Sequence, residues 1–439
     1  MYSKLRKVSF RAFAAPLLAA ALAFSGTGAA SPAAAAGAAD DGVYQIVAVG
    51  DSLTAGYQLG FTEQSVPYGY VERVYEQALF HGLRAEYVNY GVLGLKSPGL
   101  TRWIEAVSQK KSITAEEVQT GLADPRAERI FADTPKLSTA LTKADLIVMT
   151  IGGNDLKTVI TALSSEKAAT EAELAAAAAL LETSLSEYEK ELEAALKLLA
   201  QLQPGAEIVV ADQYLPVPSP LIIKDSPVEL YPETNRQFLI SAQKQLQSRL
   251  GSLIARLVQD GIDVKAANVA KPFTGNELAY TSVARGDIHP NALGYAAMGK
   301  AFSETIWNEY LAVKPRDKNV PISVVVNGKE LVSSYKPVLI QNRTFVPLRE
   351  ITEALGATVK WNSKTQTATI EQEGRTVAIT IGATTFTVNG VKTKLNAQPA
   401  FLHKVGKESK TYLPLAALSE GLAFQVVYRD TLKTAFINK

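Results

Sequence analysis

The sequence predicts an α/β domain on a mainly parallel sheet, followed by a second, smaller β-rich α+β domain. Three observations lead there. From Tyr44 to about Leu311, short apolar β-rich runs alternate with long helical stretches, and each run lies far enough from the next to need a crossover connection. After Lys314 the character changes to short Thr-rich alternations with frequent turns, among them Asn327-Gly328 and Asn389-Gly390. The size agrees, because 439 residues with 47% hydrophobic and 20% charged are too many for one ordinary domain and too evenly mixed for a disordered chain.

Residues 1–39 read as a secretory signal peptide. A basic head (Lys4, Arg6, Lys7, Arg11) precedes the apolar run Ala12 to Phe24 and a small-residue tail, Ser25 to Ala39. The run is too short to span a bilayer comfortably, so no transmembrane segment is expected. Several Ala-x-Ala sites between Ala29 and Ala39 leave the cleavage position open. The expected location is secreted or at the cell surface. Removing the four bases takes the formal charge from +2 to −2, which leaves no electrostatic footprint for nucleic acid. There is no cysteine, which excludes a diacylated lipoprotein anchor, thiol nucleophiles, zinc fingers, iron–sulfur clusters and disulfides. The domains must therefore be held by ordinary cores, which chains of this length can build.

Residues 40–313 form the first domain. Its candidate strands are Tyr44 to Val49, Ala85 to Asn89, Leu146 to Thr150, Ile208 to Ala211 and Val264 to Ala267. Between the third and fourth, Leu174, Leu181, Leu185, Tyr188, Leu192, Leu196 and Leu199 recur at steps of seven, four and three. That spacing predicts one amphipathic helix or a helix pair over residues 168–203, covering a face of the sheet. Residues 314–321 read as a linker and 322–439 as the second domain. The latter repeats internally: Arg343-Thr344-Phe345-Val346-Pro347-Leu348 answers Lys410-Thr411-Tyr412-Leu413-Pro414-Leu415 at an offset of 67, which also takes Trp361 to Tyr428.

A serine hydrolase needs a hydroxyl at a sharp turn, a histidine to take its proton, a group to orient that histidine, and donors aimed at the developing oxyanion. The chain has three histidines. His81 closes a helical pattern before Gly82, and His403 lies in the β-rich region with no Ser/Asp constellation and reads as a surface loop residue. His289, in Gly286-Asp287-Ile288-His289-Pro290, is the base candidate by elimination. Ser52 leaves the first strand in Gly50-Asp51-Ser52-Leu53, at the end of a sheet where ligands bind. The same residues also fit a helix N-cap. Two further strand exits, Asn89-Tyr90-Gly91-Val92-Leu93-Gly94 and Gly152-Gly153-Asn154-Asp155, offer backbone N–H groups and a side-chain amide at the same edge, as an oxyanion hole requires. Phe61, Tyr68, Tyr70, Leu93, Leu95, Leu215 and Val217 fall where they either flank an acyl cleft or belong to the core.

These four stretches, in this order, resemble the four blocks of the SGNH (GDSL) hydrolase family over about Tyr44 to Leu311. The resemblance implies a three-layer α/β/α fold of flavodoxin-like type and ester hydrolysis, with Ser52 as nucleophile, His289 as general base, and Ser52 N–H, Gly94 N–H and the Asn154 amide as the oxyanion hole. It implies no cofactor and no metal. The chain departs from the family at one point: the orienting aspartate usually stands three residues before the histidine, where Gly286 lies here. Either Asp287, two before, reaches Nδ1, or a backbone carbonyl does; Asp287 is favoured. Residues 322–439 resemble the copper amine oxidase N-terminal-like domain through Val326-Asn327-Gly328, Arg343 to Arg349, Glu353-Ala354-Leu355-Gly356 and Trp361-Asn362. That implies a non-catalytic accessory module for cell-wall or surface attachment through residues 322–439, and the lone His403 offers no metal-ligand cluster. The expected activity is a secreted lipase or esterase acting through a Ser52 acyl-enzyme. Its alternatives are an O-deacetylase of wall or matrix polysaccharide and a non-catalytic wall-binding protein.

Overall fold

The computed structural model describes residues 42–163, 167–223, 226–228 and 230–439. These belong to one compact unit. The expected signal peptide, residues 1–39, lies outside the described residues.

Five strands, β1 (Tyr44–Gly50), β2 (Ala85–Gly91), β3 (Leu146–Thr150), β4 (Glu207–Ala211) and β5 (Val264–Ala267), form one sheet in the order β2-β1-β3-β4-β5. Every neighbouring pair is parallel. Alternation along each strand divides the core between the two faces. Val47, Val49, Ile147, Met149, Ile208 and Val210 enter one apolar cluster. Ile46, Ala48, Leu146, Val148, Val209 and Ala211 enter the other. Helices α1 (Tyr70–Phe80), α2 (Ser97–Ser108), α3 (Glu171–Leu202), α4 (Glu233–Gln259) and α5 (Ala292–Trp307) cover the faces, with α2, α3 and α4 contributing to the first cluster and α1 and α5 to the second. The Leu-rich segment is therefore one helix. No Gly or Pro interrupts it, Thr170 and Glu173 cap its start reciprocally, and Pro204 follows its end. Its buried side is Leu181, Leu185, Tyr188, Leu192, Leu196 and Leu199.

The strand order reverses at β1, whose neighbours β2 and β3 lie on opposite sides. The chain thus opens a crevice beyond the carboxyl ends of β1 and β3, the place where such sheets bind ligands. Ser52 and the Gly152-Asn154 turn follow those two ends directly.

The β-rich region carries the repeat element by element. Strand Arg343–Pro347 leads into helix Leu348–Ala354 and then hairpin Thr358–Asn362/Thr367–Gln372; strand Glu408–Pro414 leads into helix Leu415–Gly421 and then hairpin Gln425–Arg429/Thr434–Asn438. The two lead strands pair antiparallel, with Val346 opposite Leu413. Thr434–Asn438 also pairs in parallel with Ser323–Val326. His403 lies inside strand Phe401–Val405, with its ring 4.8 Å from Tyr412, so the loop expectation is corrected. Its register opposite Lys410 in a strand pair puts it on the sheet.

This region packs on the first domain. Val325 and Phe436 enter the α1/α5 apolar cluster, and Phe436 meets Phe80 edge-on at 4.8 Å. Gln425 donates to Ala85 O (2.9 Å) and accepts from Ala85 N (3.0 Å), satisfying the start of edge strand β2 as another strand would. Asn438 Nδ2 donates to Leu79 O and Leu83 O around the end of α1. Arg429 Nε donates to the buried Glu76 carboxylate of α1 at 2.8 Å.

Candidate active site

Gly50 ends β1 at φ +141°, and a Cβ there would meet Thr150 O at 2.3 Å, so the turn out of β1 requires glycine. Beyond it the chain turns through residues 51–56, and the next helix begins only at Tyr70. The helix N-cap reading of Ser52 is therefore set aside: the side chain that caps locally is Asp51, whose Oδ1 accepts from Leu53 N (3.0 Å) and from Thr150 Oγ1 (2.6 Å). Thr54 Oγ1 in turn meets Thr150 Oγ1 (2.8 Å) and Tyr70 OH (2.9 Å). This buried polar lattice fixes the turn on which Ser52 stands. Burial raises the Asp51 carboxyl to about 7, against the lowering effect of its hydrogen bonds with Thr150 and Leu53.

His289 precedes α5, whose N-cap Asn291 accepts from Leu293 N and Gly294 N. Asp287 Oδ1 accepts from His289 N at 2.8 Å and lies 2.7 Å from His289 Nδ1. A carboxylate two residues back thus bends the loop and reaches the ring with one oxygen, which explains how the shortened spacing works. Tyr214 OH donates to Ile288 O and steadies the loop from β4. His289 Nε2 lies 2.8 Å from Ser52 Oγ. Because a carboxylate can only accept, Nδ1 carries the proton and Nε2 is free to accept from the serine hydroxyl. Burial pulls the His289 pKa below the ordinary imidazole value, opposed by Asp287.

Gly91 and Gly94 differ in their N–H groups. Gly91 N donates to Asn89 Oδ1 at 3.0 Å, and a Cβ on Gly91 would meet Ala55 N at 2.1 Å. Among the described residues the N–H groups of Gly94 and Ser52 have no hydrogen-bond acceptor. Gly94 takes φ +80°. Asn154 Nδ2 donates one hydrogen to Leu95 O at 3.1 Å, which ties the β3 exit to the β2 exit and leaves its second hydrogen available. Gly152 adopts φ +109°, and a Cβ on it would press the Tyr188 ring of α3 at 2.6 Å. A hydroxyl within reach of an imidazole, with N–H donors beside it, can attack a carbonyl carbon and hold the resulting oxyanion.

Of the residues that either flank a cleft or belong to the core, Tyr70, Leu95 and Val217 are core. Tyr70 stacks on Phe302 at 4.3 Å, and Leu95 and Val217 belong to the first apolar cluster. Phe61, Tyr68, Leu93 and Leu215 are part-exposed. His81 stacks on Trp307 away from these groups. Sequence reading missed Tyr57. Its ring lies 4.3 Å from the His289 ring and its N–H donates to Ser52 O (3.0 Å). The available signal was its place five residues after Ser52, one turn beyond the strand exit. Among the described residues no group of three or more His, Asp or Glu side chains is placed to hold a metal ion.

Comparison with known proteins gives two family matches. Residues 48–297 match the model of the GDSL-like lipase/acylhydrolase family, and residues 325–437 match the copper amine oxidase N-terminal domain. A curated relative, a protease inhibitor of Brevibacillus choshinensis, is 29% identical over 113 residues, covering 26% of this chain and 33% of that protein. The chain thus spans about a third of the length of the curated relative it matches. Among solved structures, a lipase from a goat rumen metagenome is similar at 18% identity and a TM-score of 0.37, over 59% of this chain and 95% of that one. A Clostridium thermocellum family 3 carbohydrate esterase is similar at 15% identity and a TM-score of 0.35, over 61% and 96%. The match to residues 48–297 spans more than half of the chain and contains Ser52, Gly94, Asn154 and His289: this chain belongs to the GDSL-like lipase/acylhydrolase family.

Proposed function

We propose that the protein is an exported carboxylic ester hydrolase that works through an acyl-enzyme on Ser52. The observation that carries this reading is the line Asp287 Oδ1, His289 Nδ1, His289 Nε2, Ser52 Oγ, with separations of 2.7 and 2.8 Å at its two joints. Neutral His289 takes the Ser52 proton as Oγ bonds to the ester carbonyl carbon. The carbonyl π pair moves to oxygen, and the oxyanion is held by Ser52 N–H, Gly94 N–H and the Asn154 amide. His289 returns the proton to the leaving alkoxide as the C–O bond breaks, and water activated by the same nitrogen then releases the acid. Asp287 keeps the ring in the tautomer that leaves Nε2 able to accept.

The proposed activity is that of a lipase or esterase acting on chains longer than acetyl, with an acetylated glycan as the alternative substrate; the small pocket beside Gly153 is lined by the core residues Leu156, Val159 and Leu239, by Leu215 and Pro216, and by the polar Gln213 and Gln243. Export rests on the basic head, apolar run and small-residue tail of residues 1–39. The test is hydrolysis of p-nitrophenyl esters graded from acetate to palmitate by the full chain and by Ser52→Ala, with N-terminal sequencing of protein recovered from the medium. The expected result is a preference for chains longer than acetate, a loss in kcat on the order of 10^4 or more in Ser52→Ala, and a mature N-terminus between residues 29 and 40. Retained turnover by folded Ser52→Ala would sink the acyl-enzyme reading. Activity confined to acetate would move the substrate toward acetylated glycans.

A further inference from the structure

The Gly91–Lys96 segment is held from one side by a short stretch of chain, residues 119–126, that none of the expected site residues includes. Asp124 Oδ2 accepts from Leu93 N at 2.8 Å. Arg126 Nη2 donates to Gly91 O at 3.0 Å and to Asp124 Oδ2 at 2.8 Å, while its Nε and backbone N–H both donate to Asp124 Oδ1. Gln119 takes the other end: its Nε2 donates to Gly94 O (2.9 Å) and its Oε1 accepts from Lys96 N (2.9 Å). The Gly94 N–H therefore lies between one clamp on the residue before it and another on its own carbonyl. The peptides on both sides of the one that bears this N–H are thereby held, one through Leu93 N and the other through Gly94 O, so the only motion left to it is a concerted rotation about Leu93 ψ and Gly94 φ, at φ +80°.

The clamp is built for rigidity. The Asp124 side chain is fully buried and the Arg126 side chain nearly so. Burial pushes the Asp124 carboxyl up, but the hydrogen bonds from Arg126 and Leu93 N–H outweigh it and hold it below the ordinary carboxylate range, so the ion pair persists at neutral pH. The outer face of the Arg126 guanidinium lies over the Phe61 ring at 4.9 Å, which joins the brace to the loop between β1 and α1. Arg102 of α2 donates to Val118 O and anchors the stretch to the body of the domain.

We propose that Gln119, Asp124 and Arg126 are positioning residues for the hydrolysis, acting through the peptide of Gly94 to keep its N–H aimed at the oxyanion. This rests on the reading of Gly94 as an oxyanion donor. An aimed donor matters because misplacement by about 1 Å can cost on the order of 10^2 in rate.

The test is steady-state hydrolysis of p-nitrophenyl butyrate by the full chain and by Gln119→Glu, Gln119→Met, Arg126→Met, Asp124→Asn and Asp124→Ala. Each is normalised to the Ser52 sites titrated by a fluorophosphonate and paired with the inhibition constant of phenylboronic acid, which adds to Ser52 as a tetrahedral anion. Gln119→Glu keeps the acceptor for Lys96 N and replaces the donor to Gly94 O. It and Arg126→Met are expected to lower kcat about tenfold or more with KM within about twofold, and to weaken phenylboronic acid by a similar factor. Asp124→Asn, which keeps an acceptor for Leu93 N, is expected to retain more activity than Asp124→Ala. The brace is overturned if, per titrated site, these variants keep kcat and boronate affinity within twofold of wild type, or if KM alone moves. Ser52→Ala separates the two levels: a dead Ser52→Ala with fully active brace variants removes the brace and leaves the acyl-enzyme reading, whereas an active Ser52→Ala removes both.

Discussion

His289 is pulled in opposite directions, by burial, which favours the neutral ring, and by Asp287, which favours the charged one. Burial is the larger, so the ring stays neutral, and able to accept a proton, to a lower pH than a free imidazole. The acid limb of kcat/KM is accordingly expected to have its midpoint below about 6.5, the ordinary histidine value. Asp287→Asn removes the opposing influence: the limb is expected to move further to acid while kcat falls, since the ring loses its orienting carboxylate. A pH–rate series on both proteins checks this, and a limb above the ordinary value in the wild type would contradict the burial argument. The placement of Ser52 and His289 was legible in the sequence, because each sits at a strand or helix boundary with few rivals. The place of Tyr57 shortly after Ser52 was legible, but its contact with the His289 ring was not, since it joins residues more than two hundred positions apart.

At the scale of elements, the sheet exits are shaped by helices that lie behind them. The β3 exit fits because Gly152 has no side chain where Tyr188 of α3 presses. Gly152→Ala places a Cβ against that ring in a backbone conformation that L residues avoid, so a stability loss of about 1–3 kcal/mol is expected. A fall in kcat is expected with it as Asn154, two residues on, shifts. Gly153→Ala is the contrast. Its added Cβ would meet only the end of the Gln213 side chain, at 3.1 Å, and φ there is not positive, so a smaller effect is expected. Thermal melts and kcat for the two variants check the pair; equal effects would mean that the Tyr188 contact does not set the turn. The Leu-rich segment shows the complementary case, where periodicity named Leu181, Leu185, Tyr188, Leu192, Leu196 and Leu199 of the buried face of α3, while Leu174 is only partly buried and Ala177 and Ala195 join the face.

For the molecule as a whole, the region after Lys314 is an integral part of the packing and not a freely tethered appendage. The Arg429–Glu76 pair lies inside that contact, with the Glu76 side chain almost fully buried, and Tyr68 OH also donates to the same carboxylate. Arg429→Met strips the cation from a buried carboxylate and is expected to lower unfolding stability by about 3 kcal/mol. The Glu76→Gln/Arg429→Met double variant is expected to recover part of this, because the uncompensated charge is gone. Urea unfolding of the single and double variants decides it: equal losses would show that the cost comes from lost packing of Arg429 and not from the stranded charge.

The sequence by itself determined the alternation that makes the parallel sheet, the register of the 67-residue repeat and the turns that end β1, β2 and β3, because these depend on residues within a few positions of one another. Only the tertiary structure decided how Asp287 reaches His289, which of Gly91 and Gly94 keeps an N–H without an internal partner, and that Tyr70, Leu95 and Val217 are core while Phe61, Tyr68, Leu93 and Leu215 are part-exposed. It also decided that the repeat region closes the edge of β2 and the end of α1. Each of these depends on burial and hydrogen bonds between residues distant in sequence, where no local pattern records which partner arrives first at a shared donor, carbonyl or apolar face.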